Sequence, residues 1–202
     1  MTYPMRPTLN QGFALLVLLL AGSSLYFTAG VLSFKRSLHT RPLAASLKSG
    51  QAGLVQRIID GDELSVRVGS EPVTVRLLGV SAPDATMNDP EMQPAGRQTL
   101  LYLENQIQGR SVELVFDEFK LDPRKRLLCY VQIEGKDLGE DLVDRGLALA
   151  YTKYPFSRLG AYVLAEDGAR RARRGIWSDP KLVQRAEQLK ALWDAQRKKG
   201  DE

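Results

Sequence analysis

The order of strand and helix patterns after residue 53 limits this chain to few architectures. Three strand patterns come first, in "LVQRII", "LSVRV" and "VTVRLLGV", and the turn sequences "DGDE" and "GSEP" separate them. A helical pattern, "PAGRQTLLYLENQIQ", comes next, and two more strand patterns, "SVELVF" and "RLLCYVQI", follow it. Five strands with a helix between the third and the fourth predict a small closed barrel.

The predicted fold class is mainly β plus α, a five-stranded OB-fold barrel with flanking helices. Helices after the strands are expected in "DLGEDLVDRGLA", which Gly146 closes, in "RLGAYVLAEDGARRARRG" and in "DPKLVQRAEQLKALWDAQRKK". Barrels of this type bind oligonucleotides, oligosaccharides and other ligands, so the fold by itself assigns no function.

An apolar segment without charges, "GFALLVLLLAGSSLYFTAGVLSF", occupies residues 12–34. A helix of this length would be about 34 Å long, enough to cross a hydrocarbon core of about 30 Å. We therefore predict a transmembrane helix or signal-anchor and a single-pass membrane location, with a cleaved signal peptide as the alternative. Lys35 and Arg36 follow directly, and this charge bias favours the cytoplasmic side for the downstream domain.

These patterns divide the chain into five predicted parts. They are an N-terminal tail (1–11), the apolar segment (12–34), a basic linker (35–52), the barrel domain (53–179), and a C-terminal amphipathic helix with its tail (180–202).

The C-terminal amphipathic helix has an apolar stripe, which is expected either to pack on the barrel or to bind a protein partner. The stripe consists of Leu182, Ala186, Leu189 and Trp193.

The chain has one cysteine, Cys129, and one histidine, His39. One cysteine excludes an intrachain disulfide and a cysteine zinc cage, and a histidine in the linker excludes histidine chemistry within the barrel. Six of the 28 basic residues and none of the 24 acidic residues precede Asp60, so the barrel region is slightly acidic. Global charge is therefore weak evidence for nucleic-acid binding, and catalysis would depend on carboxylates, arginines, lysines and a metal.

Five pieces of sequence, in order, resemble the staphylococcal nuclease-like (thermonuclease) domain. They are "IIDGDEL", "VRLLGVSAPD", "DPRKRLLCYV", "DLVDRGLALAY" and "RRARRGIWSD". The resemblance extends over about residues 54–177 and implies a metal-dependent enzyme that cleaves phosphodiester bonds of DNA and RNA. The expected partner is thus a DNA or RNA substrate, besides membrane lipid at residues 12–34.

The resemblance implies catalytic roles for three residues. Arg76 and Arg126 would bind and neutralise the phosphate, because guanidinium groups stay charged and donate in pairs. Asp84 would act as, or position, the general base for water.

The resemblance also implies a Ca²⁺ cofactor and a nucleotide-binding surface. Asp62 and the carbonyl of Ala82 would bind the metal, and Ser81 falls where the family has its second metal aspartate. Tyr151 and Tyr154 would flank the nucleotide.

Two departures from the family pattern weaken the expected site. Asp84 is one methylene shorter than the family's glutamate, and small displacements of a catalytic group cost rate. Ser81 removes one negative charge, and Ca²⁺ affinity falls with ligand charge. The sequence therefore supports two hypotheses, a membrane-anchored nuclease and a weakened or inactive nuclease-fold module that binds protein or nucleic acid at a membrane.

Overall fold

The computed structural model of the chain describes residues 13–14, 16–28, 44–84 and 90–200. The chain divides into two units, Met1–Ala45 and Ser46–Glu202. The second unit contains the barrel.

The prediction of a single-pass membrane location is contradicted. No helix among the described residues is both long enough and apolar enough to cross a membrane.

Five strands form the closed barrel that the sequence predicts. The strands are β1 (Gln51–Asp60), β2 (Glu63–Val68), β3 (Glu71–Leu77), β5 (Ser111–Val115) and β6 (Leu127–Ile133). Strands β1, β2 and β3 form an antiparallel meander. Strand β1 also pairs antiparallel with β5, β5 pairs with β6, and a parallel pairing of β3 with β6 closes the barrel.

Alternation of apolar and polar residues explains the barrel interior. Every second residue of β2 is buried, namely Leu64, Val66 and Val68, as expected for strands with one face on a core. Val75 of β3 and Leu127 of β6, which are partners in the closing pair, are both fully buried.

Helices and short strands complete the second unit. The helices are α1 (Gln93–Ile107), α2 (Leu138–Asp144), α3 (Leu159–Arg171), a 3-10 helix (Gly175–Ser178) and α4 (Pro180–Gly200). The short strands are β4 (Val80–Ser81), β7 (Lys136–Asp137) and β8 (Leu149–Ala150). The structure thus confirms the predicted helix between the third and fourth barrel strands. It also confirms the three predicted helices after the barrel.

The third strand is shorter than the pattern "VTVRLLGV" indicates. It ends at Leu77, and Gly79 adopts a positive φ of 76°, which favours glycine. A Cβ at Gly79 would also overlap the ring of Phe156. The chain turns there, and Ser81 lies in β4, which pairs with β8 in a separate two-stranded sheet.

The apolar stripe of α4 packs on the protein itself. Ala186 and Trp193 belong to a buried cluster with Leu149 and Trp177, and Leu182 and Leu189 pack against it. Of the two expectations for this stripe, the structure therefore supports packing and leaves the partner-binding surface without support.

We expect Gly146→Ala to destabilise the protein by about 2–4 kcal/mol, because two costs add at this position. Its φ is 67°, and a Cβ there would overlap the backbone oxygen of Arg174, so backbone strain and a close backbone contact both oppose alanine. Gly109→Ala is the matched control, since Gly109 has a φ of 74° with nothing near its Cβ position. Urea denaturation of both variants checks this, and equal losses would contradict the clash at Gly146.

Candidate active site

An arginine and an aspartate form the centre of the site at one end of the barrel. Arg76 lies near the end of β3, and Asp62 lies in the turn between β1 and β2. Their side chains form an ion pair with an Nη2–Oδ2 distance of 2.9 Å, with 16% and 13% of the two side chains exposed. Breaking such a buried pair leaves a charge without its partner and costs about 3–5 kcal/mol.

Backbone carbonyls fix the orientation of the Arg76 guanidinium. Nη1 donates to the carbonyls of Asp62 at 3.3 Å and Leu77 at 3.2 Å, and Nη2 donates to that of Val80 at 2.9 Å. These acceptors lie in the β1–β2 turn, at the end of β3 and in β4. The guanidinium is therefore held in place before any ligand arrives.

Asp62 is a buried carboxylate with both acidic and basic neighbours. Burial raises its pKa to about 6, against the lowering effects of the Arg76 charge and of the Ala82 N–H. That N–H donates to Asp62 Oδ2 at 3.0 Å. Since burial outweighs both partners, an additional cation near Asp62 would stabilise its charged form.

Two further carboxylates lie close to this pair. Burial raises the pKa of Asp60, and the negative charge of Asp84 raises it further, while Arg76 opposes the shift. The charges of Asp84 and Arg76 therefore both act on Asp60, and the charge of Asp60 in turn acts on Asp62.

The second predicted arginine is also held by carboxylates. Arg126 directly precedes β6, and its Nε donates to Asp122 Oδ2 at 2.7 Å while Nη1 donates to Glu63. Hydrogen bonds and charge from Asp122 and Glu63 raise the pKa of Arg126, although burial opposes them. Glu63 also lies opposite Arg76 in the register of β2 and β3, so the two arginines are held on neighbouring parts of the sheet.

Thr99 of α1 supports the turn that presents Asp62. A Cβ on Gly61 would approach Ala82 Cβ to 2.6 Å and Thr99 Cγ2 to 3.1 Å, so the turn, the loop after β4 and α1 are tightly packed. The buried Thr99 hydroxyl donates to the carbonyl of Leu147 at 2.7 Å, which fixes α1 to the segment before β8.

The expected metal ligands are oxygen atoms, which a hard cation prefers, but only one of them belongs to a carboxylate. Asp62, Ser81 and Ala82 offer a carboxylate, a hydroxyl and a carbonyl oxygen, the donor type that Ca²⁺ takes. Within 44–84 and 90–200, as in the described part of the first unit, no three His, Cys, Asp or Glu side chains form a group able to hold a metal ion. Ser81 offers a hydroxyl where the resemblance implies a second carboxylate.

Tyr151 lies near these charges, and Tyr154 packs against it. Tyr151 follows β8, its N–H donates to the carbonyl of Gly79 at 2.9 Å, and the charges of Arg76 and Asp62 act on its phenol. Tyr154 is 58% exposed, and its ring centroid lies 6.0 Å from that of Tyr151. The half-buried ring of Tyr151 therefore lies between the charged pair and the exposed ring of Tyr154.

The structure brings Asp62, Arg76 and the N–H of Ala82 into direct contact, and the charge of Arg126 acts on the same carboxylate. It also shows partners that the sequence did not single out. These are Asp60, Glu63 and Asp122. The spacing of Asp122 four residues before Arg126, and the repeated acids of "DGDE", were the available signals.

Comparison with known proteins agrees with this geometry. The model of the family described as "Staphylococcal nuclease homologue" matches residues 74–179, which is more than half of the chain. The chain belongs to this family.

Individual relatives are similar over the same extent of sequence. An uncharacterized protein of Bacillus anthracis is 35% identical over 129 residues, which cover 62% of this chain and 60% of that protein. The endonuclease YncB of Bacillus subtilis is 32% identical over 127 residues, covering 61% and 60% of the two chains. A thermonuclease of Staphylococcus hyicus is 27% identical over 126 residues, covering 62% and 75%. The match thus spans about three-fifths of the two Bacillus proteins.

Proposed function

We propose that this protein is a nuclease that hydrolyses phosphodiester bonds of DNA or RNA with the help of a divalent cation. The observation that carries the proposal is the pair of arginines, Arg76 and Arg126, which carbonyls and carboxylates hold at the same end of the barrel. Membership of the nuclease family and the relatives named as endonuclease and thermonuclease support the same reaction class.

In this proposal the two guanidinium groups bind the phosphate and stabilise the charge that develops on its oxygens. Phosphoryl transfer depends mainly on positioning and on electrostatic stabilisation. Donors that are already oriented need no rearrangement during the reaction, which is where their advantage over water lies. The hydrogen bonds of Arg76 to three backbone carbonyls supply this orientation.

Asp84 is proposed as the group that accepts the proton of the attacking water or positions that water. This proposal is supported by the effect of its negative charge, which raises the pKa of Asp60. Asp62, the Ser81 hydroxyl and the Ala82 carbonyl would hold Ca²⁺, which when bound supplies Lewis acidity and lowers the pKa of bound water. Tyr151 and Tyr154 are proposed to contact the nucleotide.

The full chain incubated with fluorescently labelled single-stranded DNA and RNA tests the proposal. We expect cleavage in excess Ca²⁺ and none in excess chelator, because the chelator removes the cation that Asp62, Ser81 and Ala82 are proposed to hold. The same protein should be folded in both conditions, as circular dichroism would show. A folded sample that cleaves neither substrate with Ca²⁺, Mg²⁺ or Mn²⁺ would contradict the proposal.

A weakened module that binds nucleic acid or a protein without cleaving is the second candidate. Ser81 favours it, because the site lacks the carboxylate that would complete the metal ligands. Binding of the labelled strands without cleavage in any divalent cation is the result expected for this candidate.

A further inference from the structure

The C-terminal helix α4 lies outside the part of the chain that matches the family. The match ends at residue 179, and α4 begins at Pro180. Its buried stripe nevertheless joins the cluster against which Tyr151 packs. The helix therefore contacts one of the candidate site residues from outside the matched region.

Two residues of α4, one turn apart, contact the segment that carries Tyr151. The ring of Trp193 meets that of Tyr151 edge to face, with centroids 4.9 Å apart and an interplanar angle of 86°. Arg197 Nη1 donates to the carbonyl of Thr152 at 2.9 Å. One contact thus fixes the ring, and the other fixes the backbone that continues from it.

A third connection runs through a buried carboxylate of α3. Glu166 is 3% exposed, and its Oε1 accepts the N–H of Ala150 at 3.0 Å. Its Oε2 accepts from Lys190 of α4 at 2.5 Å. Lys190, Trp193 and Arg197 lie on one face of α4 at helical spacing, so this face reaches both sides of Tyr151.

We infer that α4 is part of the substrate-binding site and that Trp193 and Arg197 position Tyr151 against a base of a single-stranded nucleic acid. The inference rests on the proposed function for its ligand class. Stacking on an aromatic ring strengthens single-strand binding without sequence preference, and it is most effective when the ring is already oriented. Trp193 and Arg197 are positioning residues, because they act through Tyr151.

This arrangement predicts a specific kinetic signature. A loosened Tyr151 weakens substrate and transition state equally, so KM rises while kcat stays unchanged. Damage to the arginine–aspartate centre would instead lower kcat. The two effects separate the role of α4 from a general loss of structure.

The test compares matched variants of the full chain. Arg197→Ala and Lys198→Ala each remove one exposed positive charge from α4, and only the first removes the bond to Thr152. Trp193→Leu removes the aromatic edge, and Trp193→Phe keeps one. Leu192→Ala, at a side chain that is 51% exposed, controls for a change in the helix itself. All are measured well below their melting temperatures.

Three constants are measured. They are the Kd for a labelled single-stranded oligonucleotide in chelator, and the KM and kcat for its cleavage in Ca²⁺. We expect Arg197→Ala and Trp193→Leu to raise Kd and KM by about five- to tenfold at unchanged kcat. Lys198→Ala, Leu192→Ala and Trp193→Phe should stay within about twofold of the parent.

Equal Kd values for Arg197→Ala and Lys198→Ala, together with equal values for the two Trp193 variants, would overturn the inference. If the parent binds without cleaving, the proposed function fails and the Kd comparison still decides the role of α4. If the parent neither binds nor cleaves, both are overturned.

Discussion

Arg76→Ala is expected to reduce cleavage by at least about a thousandfold, the range in which a single phosphate-binding arginine acts in phosphoryl transfer. The substitution removes four donor contacts, to Asp62 Oδ2 and to three carbonyls, and with them the oriented charge beside the scissile phosphate. The measurement is single-turnover cleavage of a labelled oligonucleotide in saturating Ca²⁺, because this isolates the chemical step.

Loss of folding is the competing explanation, since Asp62 would remain buried without its partner. Arg76→Lys separates the two, because it keeps the positive charge beside Asp62 and loses the planar donor geometry. We expect a melting temperature near that of the parent for the lysine variant and cleavage still reduced by about a hundredfold or more. Arg67→Ala, at an exposed arginine of the neighbouring strand β2, should leave cleavage unchanged. Activity retained in the lysine variant would show that a positive charge at residue 76 is sufficient, and it would contradict a role for the planar guanidinium.

The barrel could be predicted because each of its strands and its helix has a local pattern of apolar and polar residues in the sequence. Alternation in "LSVRV" reports a strand with one buried face, and the structure buries Leu64 and Val66 and leaves Arg67 exposed. The helix from Gln93 to Ile107 shows its period in the same way. Such patterns depend on which side of an element faces the core, and this can be deduced without knowing what the element packs against.

The membrane prediction depended on the length of one apolar sequence alone. Twenty-three residues would cross a bilayer as one helix, but no helix among the described residues is both long enough and apolar enough to do so. The end of the third strand was missed for a related reason. "VTVRLLGV" keeps its apolar character through Gly79, whose positive φ turns the chain, and composition alone does not report a backbone angle.

The sequence indicated candidate residues for the site and not the contacts between them. Arg76, Asp62 and Arg126 were singled out by resemblance, and the structure brings them together. The partners that hold Arg126, Asp122 and Glu63, depend on the tertiary arrangement. The same holds for α4. Its stripe indicated burial, and only the structure shows that Trp193 meets Tyr151.

Ser81→Asp is expected to increase Ca²⁺ affinity by about tenfold or more, because it completes the oxygen ligands with a carboxylate. The gain has a cost in the absence of the ion. A further negative charge beside Asp60, Asp62 and Asp84 adds repulsion to carboxylates whose pKa is already raised at Asp60 and Asp62. The variant should therefore melt below the parent in chelator and gain more stability than the parent on addition of Ca²⁺.

The shift of the melting temperature with Ca²⁺ concentration measures the change in Ca²⁺ affinity without any substrate. Ser81→Asn is the control, since asparagine matches aspartate in size and lacks its charge. If the site is a weakened nuclease, cleavage by Ser81→Asp at low Ca²⁺ should rise in parallel with affinity. A Ca²⁺-dependent shift equal in the Asp and Asn variants would show that residue 81 does not face the ion. Tighter binding without faster cleavage would instead locate the weakness at Asp84, whose shorter side chain would then hold the attacking water too far from the phosphate.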